Sequence, residues 1–280
     1  MNDAPSSTAL LVAAGVAFQS THPRNRHLVP DEAGRLLRSF IKDRSGSSWF
    51  DRVVVAIRER LTVPGLTLHY VLRKQRIEQL VRAAGIRQLV VLGAGLDTLA
   101  LRLSREMTCI EIDHPATQTL KAELLECGGH AAALELLPVD FTKETMTDAL
   151  KRSSRYRENE PAIFVAESVL LYLNEAEVRN VFRQLKARAA PTRLVFTFWQ
   201  PRTPINFQNA TFVADWYLRK HGEPGRWAIA PERLREFLES EGFELVELVR
   251  DVDFGTSARG EHIATAAHPG SSPSLRSGSE

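Results

Sequence analysis

Only two of the 280 residues are cysteine, Cys109 and Cys127. They form no CxxC pair, so a disulfide framework is not expected and a reducing compartment is the default. Charge of one sign is missing too. The chain has 36 basic and 34 acidic side chains, a formal net charge of +2, which offers no broad field for nucleic acid. Long apolar runs are scarce: "ALLVAAGVAF" near the start is too short to span a bilayer. The "MNDAPSST" before it lacks the positive segment of a signal peptide. There is no internal repeat. These absences point to a cytoplasmic protein with no nucleic-acid partner, no membrane partner and no metal site.

What is present belongs to a globular chain, 44% hydrophobic and 25% charged, long enough to bury one large core. Residues 1–8 and 268–280 are expected to be disordered, being rich in Ser, Pro and Gly, with a single domain over 9–267. Within it strands and helices alternate. Strands are expected over 87–95, 108–114, 134–141, 162–169 and 193–199, most of them rich in the β-branched and aromatic residues of a sheet covered on both faces. Pro115 suits the first turn of a helix. Asn174 with Glu177 reads as a capping box, followed by a Val178, Val181, Phe182, Leu185 core stripe. Gly242 reads as a helix C-cap. "ELVELVRDV" and "EHIATAAH" have no helix between them, which predicts an antiparallel hairpin at the edge of a mostly parallel α/β sheet. About eighty residues before the first strand form a helical cap, 9–86. Residues 200–228 form a long aromatic-bearing insertion of the kind that serves as a lid or substrate element.

The stretch "VVLGAGLDTLALRL" (90–103) runs a strand into two glycines and then a helix. Open α/β sheets bind ligands beyond the carboxyl ends of their strands. Gly93 and Gly95 end the first strand of the alternating region, where a bare backbone can approach a ligand. Asp113 ends the next, at the spacing of a ribose-binding acid. Asp140 ends the third and Glu167 the fourth. Singly, each has an ordinary reading as turn former or cap. In order, at successive strand ends, they indicate a nucleoside-type cofactor. Thr98 stands where the third glycine of a dinucleotide fingerprint would be, and Asp97 would repel a pyrophosphate at the helix start. S-adenosylmethionine, a nucleoside without phosphate, fits better than a nicotinamide dinucleotide.

Together "VVLGAGLDTLALRL", "EIDHPATQTLKAELL", "PVDF" and "ESVLLYLNEAEV" resemble the leucine carboxyl methyltransferase family. The likeness is greatest to its bacterial S-adenosylmethionine-dependent O-methyltransferases, related to polyketide carboxyl methyltransferases. The resemblance implies the Rossmann-like class I methyltransferase fold: a seven-stranded, mostly parallel sheet with an antiparallel last strand. It implies that Gly93 and Gly95 line the methionine portion of the cofactor and that Asp113 binds the ribose. It also puts Asp140 and Phe141 on the adenine and Glu167 near the amino-acid end. In "YVLRKQRIEQLV", Arg73 matches the arginine that grips the cofactor carboxylate, a task suited to a guanidinium fork; the residues alone do not separate it from Lys74 and Arg76.

The implied activity is methyl transfer to a carboxylate, or a phenolic hydroxyl, of a small molecule. A carboxylate needs no general base, whereas a phenol is helped by one. His69, His114 and His262 are candidates by residue type alone. Tyr172, just past the fourth strand, is the residue expected on the acceptor side, and Trp199, Trp216, Tyr217 and Trp227 are candidates for an apolar acceptor wall. Competing readings are a nicotinamide-dependent oxidoreductase, a protein C-terminal carboxyl methyltransferase and a non-catalytic cofactor binder.

Overall fold

A computed structural model describes residues 7–45, 57–130, 133–141 and 143–270. The helical cap comprises α1 (Ser7–Gln19), α2 (Asp31–Ser45) and α3 (Leu66–Ala83), with a 3-10 turn at Arg26–Leu28. Alternation then begins with β1 (Gln88–Leu92), α4 (Leu99–Leu103), β2 (Thr108–Asp113) and α5 (Pro115–Cys127). It continues through β3 (Glu135–Pro138), α6 (Met146–Lys151), β4 (Ala162–Ala166), α7 (Glu175–Lys186) and β5 (Thr192–Trp199). The insertion contributes α8 (Phe212–Lys220), and the chain closes with α9 (Leu234–Glu241), β6 (Glu244–Val249) and β7 (Glu261–His268). Two end expectations shift: Ser7 and Thr8 already belong to α1, and His268 still belongs to β7. Residues 1–6 and 271–280, expected to be disordered, lie outside the described residues.

The seven strands lie in the order β3-β2-β1-β4-β5-β7-β6. β1, β2, β3, β4 and β5 run parallel, while β7 is antiparallel to both β5 and β6. This is the expected fold. Its physical basis is plain in β1, all of whose residues are buried. Leu89 and Val91 enter the core against α1 and α3, while Val90 and Leu92 enter the opposite core beside Phe164, Phe182 and Phe196. A strand covered on both faces alternates between two cores and reads as one apolar run.

The helices end as their residues dictate. Asn174 accepts the Glu177 N–H at 2.9 Å and the Glu177 carboxylate returns the bond at 2.7 Å, completing the capping box. Val178, Phe182 and Leu185 are buried on its inner face. Gly242 caps α9. The chain proceeds from β1 to β2 and β3 on one side, then crosses to β4 and β5 on the other. The reversal opens a crevice beyond the carboxyl ends of β1 and β4, where such sheets hold ligands.

Candidate cofactor cleft and acceptor chamber

A cleft of about 300 Å³ opens at that crevice, and Gly93, Gly95, Asp113, Phe141, Glu167 and Arg73 all line it. The loop leaving β1 has left-handed backbone at Gly93 (φ 62°) and Gly95 (φ 53°), where a side chain is strained. A Cβ on Gly93 would also stand 2.4 Å from Val169 Cγ2, so nothing larger than glycine fits. Asp113 reaches back from β2: its Oδ2 accepts the Gly95 N–H at 2.7 Å and its Oδ1 the His114 N–H at 2.6 Å. It therefore shapes the glycine loop while leaving further lone pairs for a ligand. Burial pushes its carboxyl above the ordinary value, against the pull of those two N–H groups.

Asp140 is the expected site residue that does not line the cleft. β3 stops at Pro138 instead of continuing to 141, and its last bonded neighbour is Asp113. In the turn that follows, the Asp140 carboxylate pairs with Lys143 at 3.0 Å. Phe141 takes the cleft side, with its residue 51% exposed.

α3 delivers the basic residues. Arg73 is only 2% exposed. Its Nε and Nη2 donate to Glu167 Oε1 at 2.9 and 2.6 Å, and its Nη1 donates to both oxygens of Glu261 at 3.0 and 2.8 Å. Three of its five N–H groups are thus engaged, the one on Nη1 shared between the two Glu261 oxygens, leaving one on each of Nη1 and Nη2. Glu261, at the start of β7 and fully buried, lies 2.7 Å from His69 Nε2 and accepts the Ser168 hydroxyl at 3.2 Å. Burial opposes its ionisation, but Arg73 and His69 outweigh burial and hold its carboxyl below the ordinary range.

Lys74 also enters the site. It donates to Glu167 at 3.0 and 3.1 Å and stands 3.2 Å from Asp97. Asp97 is half-buried, and Lys74, Arg102 and Lys121 hold its carboxyl low. Arg76, by contrast, pairs with Glu247 at the surface. The three cations of "RKQR" thus divide into two in the site and one outside it.

Beside the cleft lies a second chamber of about 110 Å³, walled by Tyr70, Trp199, Phe207 and Tyr217 among others. Thr8, Val12, Arg73, Ser168 and Tyr172 line both spaces. Tyr172 ends a 3-10 turn after β4, with its hydroxyl 3.5 Å from Thr8 Oγ1. Burial raises its phenol pKa, so it stays protonated at neutral pH.

The insertion supplies only part of the expected wall. Arg202 pairs with Asp215 at 3.0 Å, and Asn206 donates to the same carboxylate at 2.8 Å, pinning α8. Ala214, Tyr217 and Leu218 then face the chamber at helical spacing. Phe212 and Trp216 share the outer face, 81% and 53% exposed. Trp227 packs into the other core against Phe237, with ring centroids 5.6 Å apart. Trp216 and Trp227 therefore do not line the chamber.

Each of the three histidines has a ring nitrogen in a structural contact. His69 is held by Glu261, His114 Nδ1 accepts the Ala116 N–H at 3.3 Å, and His262 Nδ1 accepts the Asp251 N–H at 3.1 Å. Among the described residues no group of three His, Cys, Asp or Glu side chains could hold a metal ion. No described helix is long and apolar enough to cross a membrane. Two residues of the site went unread in the sequence, Ser168 and Glu261, while Lys74 was an alternative to Arg73 that the residues alone did not separate. Ser168 carries the one positive φ (53°) of a non-glycine residue among those described.

Residues 9–186 match the family model of leucine carboxyl methyltransferase, more than half of the chain. The YktD protein of Bacillus subtilis, named as an S-adenosyl-L-methionine-dependent methyltransferase, is 28% identical over 174 residues, 58% of this chain and 56% of its own. A Mycobacteroides abscessus protein of the same description is 25% identical over 276 residues, 85% and 88% of the two chains. In the first relatives matched, including YktD, the chain spans about half of the relative's length or less. Among solved structures, magnesium protoporphyrin IX methyltransferase from Synechocystis PCC 6803 with bound SAM superposes with a TM-score of 0.48 at 14% identity, over 73% of this chain and 82% of that one.

Proposed function

The chain belongs to the leucine carboxyl methyltransferase family, and from that premise we propose that it is an S-adenosylmethionine-dependent O-methyltransferase acting on a carboxylate of a small molecule. The observation that carries this reading is the wall shared by cleft and chamber, where Thr8, Val12, Arg73, Ser168 and Tyr172 face both spaces. A donor in the cleft and an acceptor in the chamber would meet there.

The cleft residues fit this cofactor. Asp113 has lone pairs for ribose hydroxyls, and the exposed ring of Phe141 suits a stacked adenine. Glu167 and Asp97 tolerate a ligand with cationic groups, while the free Arg73 N–H groups and Lys74 suit its carboxylate. An ionised Asp97 beside the glycine loop disfavours a pyrophosphate, which counts against the oxidoreductase reading. When bound, S-adenosylmethionine supplies a methyl group on a positively charged sulfur.

The protein's own work is positioning and exclusion of water. The aromatic walls desolvate the acceptor, and Tyr172, kept protonated, orients it through its hydroxyl. The candidate histidine bases are committed to structural bonds, which favours an acceptor that arrives as its own nucleophile. A carboxylate does so and a phenol does not.

Calorimetry with S-adenosylmethionine and NADPH, followed by S-adenosylhomocysteine release across small carboxylic acids and phenols, tests the reading. Binding of the first cofactor alone and turnover of carboxylic acids are expected. Binding of NADPH alone would overturn the methyltransferase assignment, and turnover confined to phenols would overturn the carboxylate one.

A further inference from the structure

Arg58 is a charge for which the transfer reaction has no use. It lines the aromatic chamber but not the cofactor cleft. Its guanidinium carbon stands 4.6 Å from the centroid of the Tyr217 ring. Stacking of this kind covers one face of the guanidinium and leaves its in-plane N–H edge available to an anion. Among the described residues it has that ring as a side-chain partner and no carboxylate.

The other polar groups of this wall are committed differently. Arg73 has spent three N–H groups on Glu167 and Glu261. Glu59 accepts the Thr67 hydroxyl at 2.8 Å. The indole N–H of Trp199, a residue 5% exposed, is buried with no hydrogen-bond partner among the described residues. The wall therefore sets one stacked guanidinium, with no carboxylate partner, beside an apolar body. A ligand that satisfies it brings rings or aliphatic bulk and an acceptor-rich, negatively charged group.

Position separates this group from the one that reacts. The residues shared with the cofactor cleft mark where the methyl group would cross, and Arg58 is not one of them. We propose that the chamber takes an amphipathic anion, its apolar body against the aromatic walls and its charge on Arg58, distinct from the oxygen that is methylated. The distinction between the two groups rests on the methyltransferase reading; capture of the anion by Arg58 does not.

A matched pair of fluorescent probes tests this on the full chain without cofactor. 8-Anilinonaphthalene-1-sulfonate carries a sulfonate, and N-phenyl-1-naphthylamine has the same ring system without it. The wild-type protein should bind the sulfonate tighter by about tenfold or more, the worth of a charged hydrogen bond. Arg58→Gln should bring the two affinities together by weakening the sulfonate alone. Ala14→Trp and Leu218→Trp fill the chamber from two walls, and a folded example of either should lose both probes. Equal wild-type affinities, a preference that survives Arg58→Gln, no binding, or probes indifferent to both fillers would each overturn the proposal. Calorimetry with S-adenosylmethionine runs in parallel. Loss of cofactor binding with an intact probe preference would sink the methyltransferase reading and leave Arg58 as the anion site.

Discussion

Replacing Glu261 with glutamine removes one charge and almost no volume. The native carboxylate shares Arg73 Nη1 between its two oxygens at 3.0 and 2.8 Å, and meets His69 at 2.7 Å and the Ser168 hydroxyl at 3.2 Å. Glutamine keeps one acceptor oxygen and turns an NH₂ donor toward groups that are themselves donors. Arg73, 2% exposed, is then left with Glu167, which Lys74 already shares. Breaking a buried pair from one side costs about 3–5 kcal/mol. Because Glu167 remains, the lower end applies, about 3 kcal/mol, out of a total stability on the order of 5–15 kcal/mol. At about 2–4 °C per kcal/mol, the melting temperature should fall by about 6–12 °C.

The pH dependence supplies a second readout. Glu261 is held below its ordinary value of 4.5, since Arg73 and His69 overcome its burial. A depressed carboxyl contributes its full stability above the unfolded value and loses it as pH falls. The gap between wild type and Glu261→Gln in urea titrations should therefore be level from pH 7 down to about pH 5 and shrink below that. A loss under about 1 kcal/mol at pH 7, or a gap that does not narrow in acid, would refute the assignment of Glu261 as the counter-charge of Arg73.

Asp113→Asn should weaken S-adenosylmethionine binding by about tenfold or more in calorimetry. It should also lower the melting temperature, because Asp113 ties down Gly95; unchanged affinity would remove it from the ribose. Trp216→Ala should shift stability by no more than about 0.5 kcal/mol and leave S-adenosylhomocysteine release near wild type, since that ring lies outside the chamber beneath Lys220 Nζ, 4.7 Å from its centroid. A large loss of turnover would return Trp216 to the acceptor wall.

Much of the fold could be read from periodicity, because each inner strand crosses two cores and helices such as α7 carry one buried stripe. The strand-end residues were legible for the same reason: parallel strands deliver their carboxyl ends to one edge, so Gly93, Asp113 and Glu167 had to converge. Asp140 lies off the cleft because β3 ends at a proline, and the direction of a side chain in the turn beyond it is not periodic. The insertion showed its aromatic content but not its orientation, which the Arg202–Asp215 pair decides across a loop. Glu261 was invisible for a deeper reason. Its meaning is its distance from Arg73 in space, and no spacing along the chain encodes that.

That separation has a consequence for how the protein is made. Arg73 precedes its partner Glu261 by 188 positions, so at about 5–20 residues per second a ribosome finishes one roughly 10–40 s before the other. From about the middle of that interval the nascent chain holds a complete glycine loop and the ends of β1, β2 and β4, with the guanidinium meant for burial still lacking its second carboxylate. β7 must slide in between β5 and β6 before that debt of charge is settled. The cofactor cleft is therefore encoded early and finished late. Its maturation should follow release of the last strand, making newly synthesised copies the ones most exposed to proteases and chaperones.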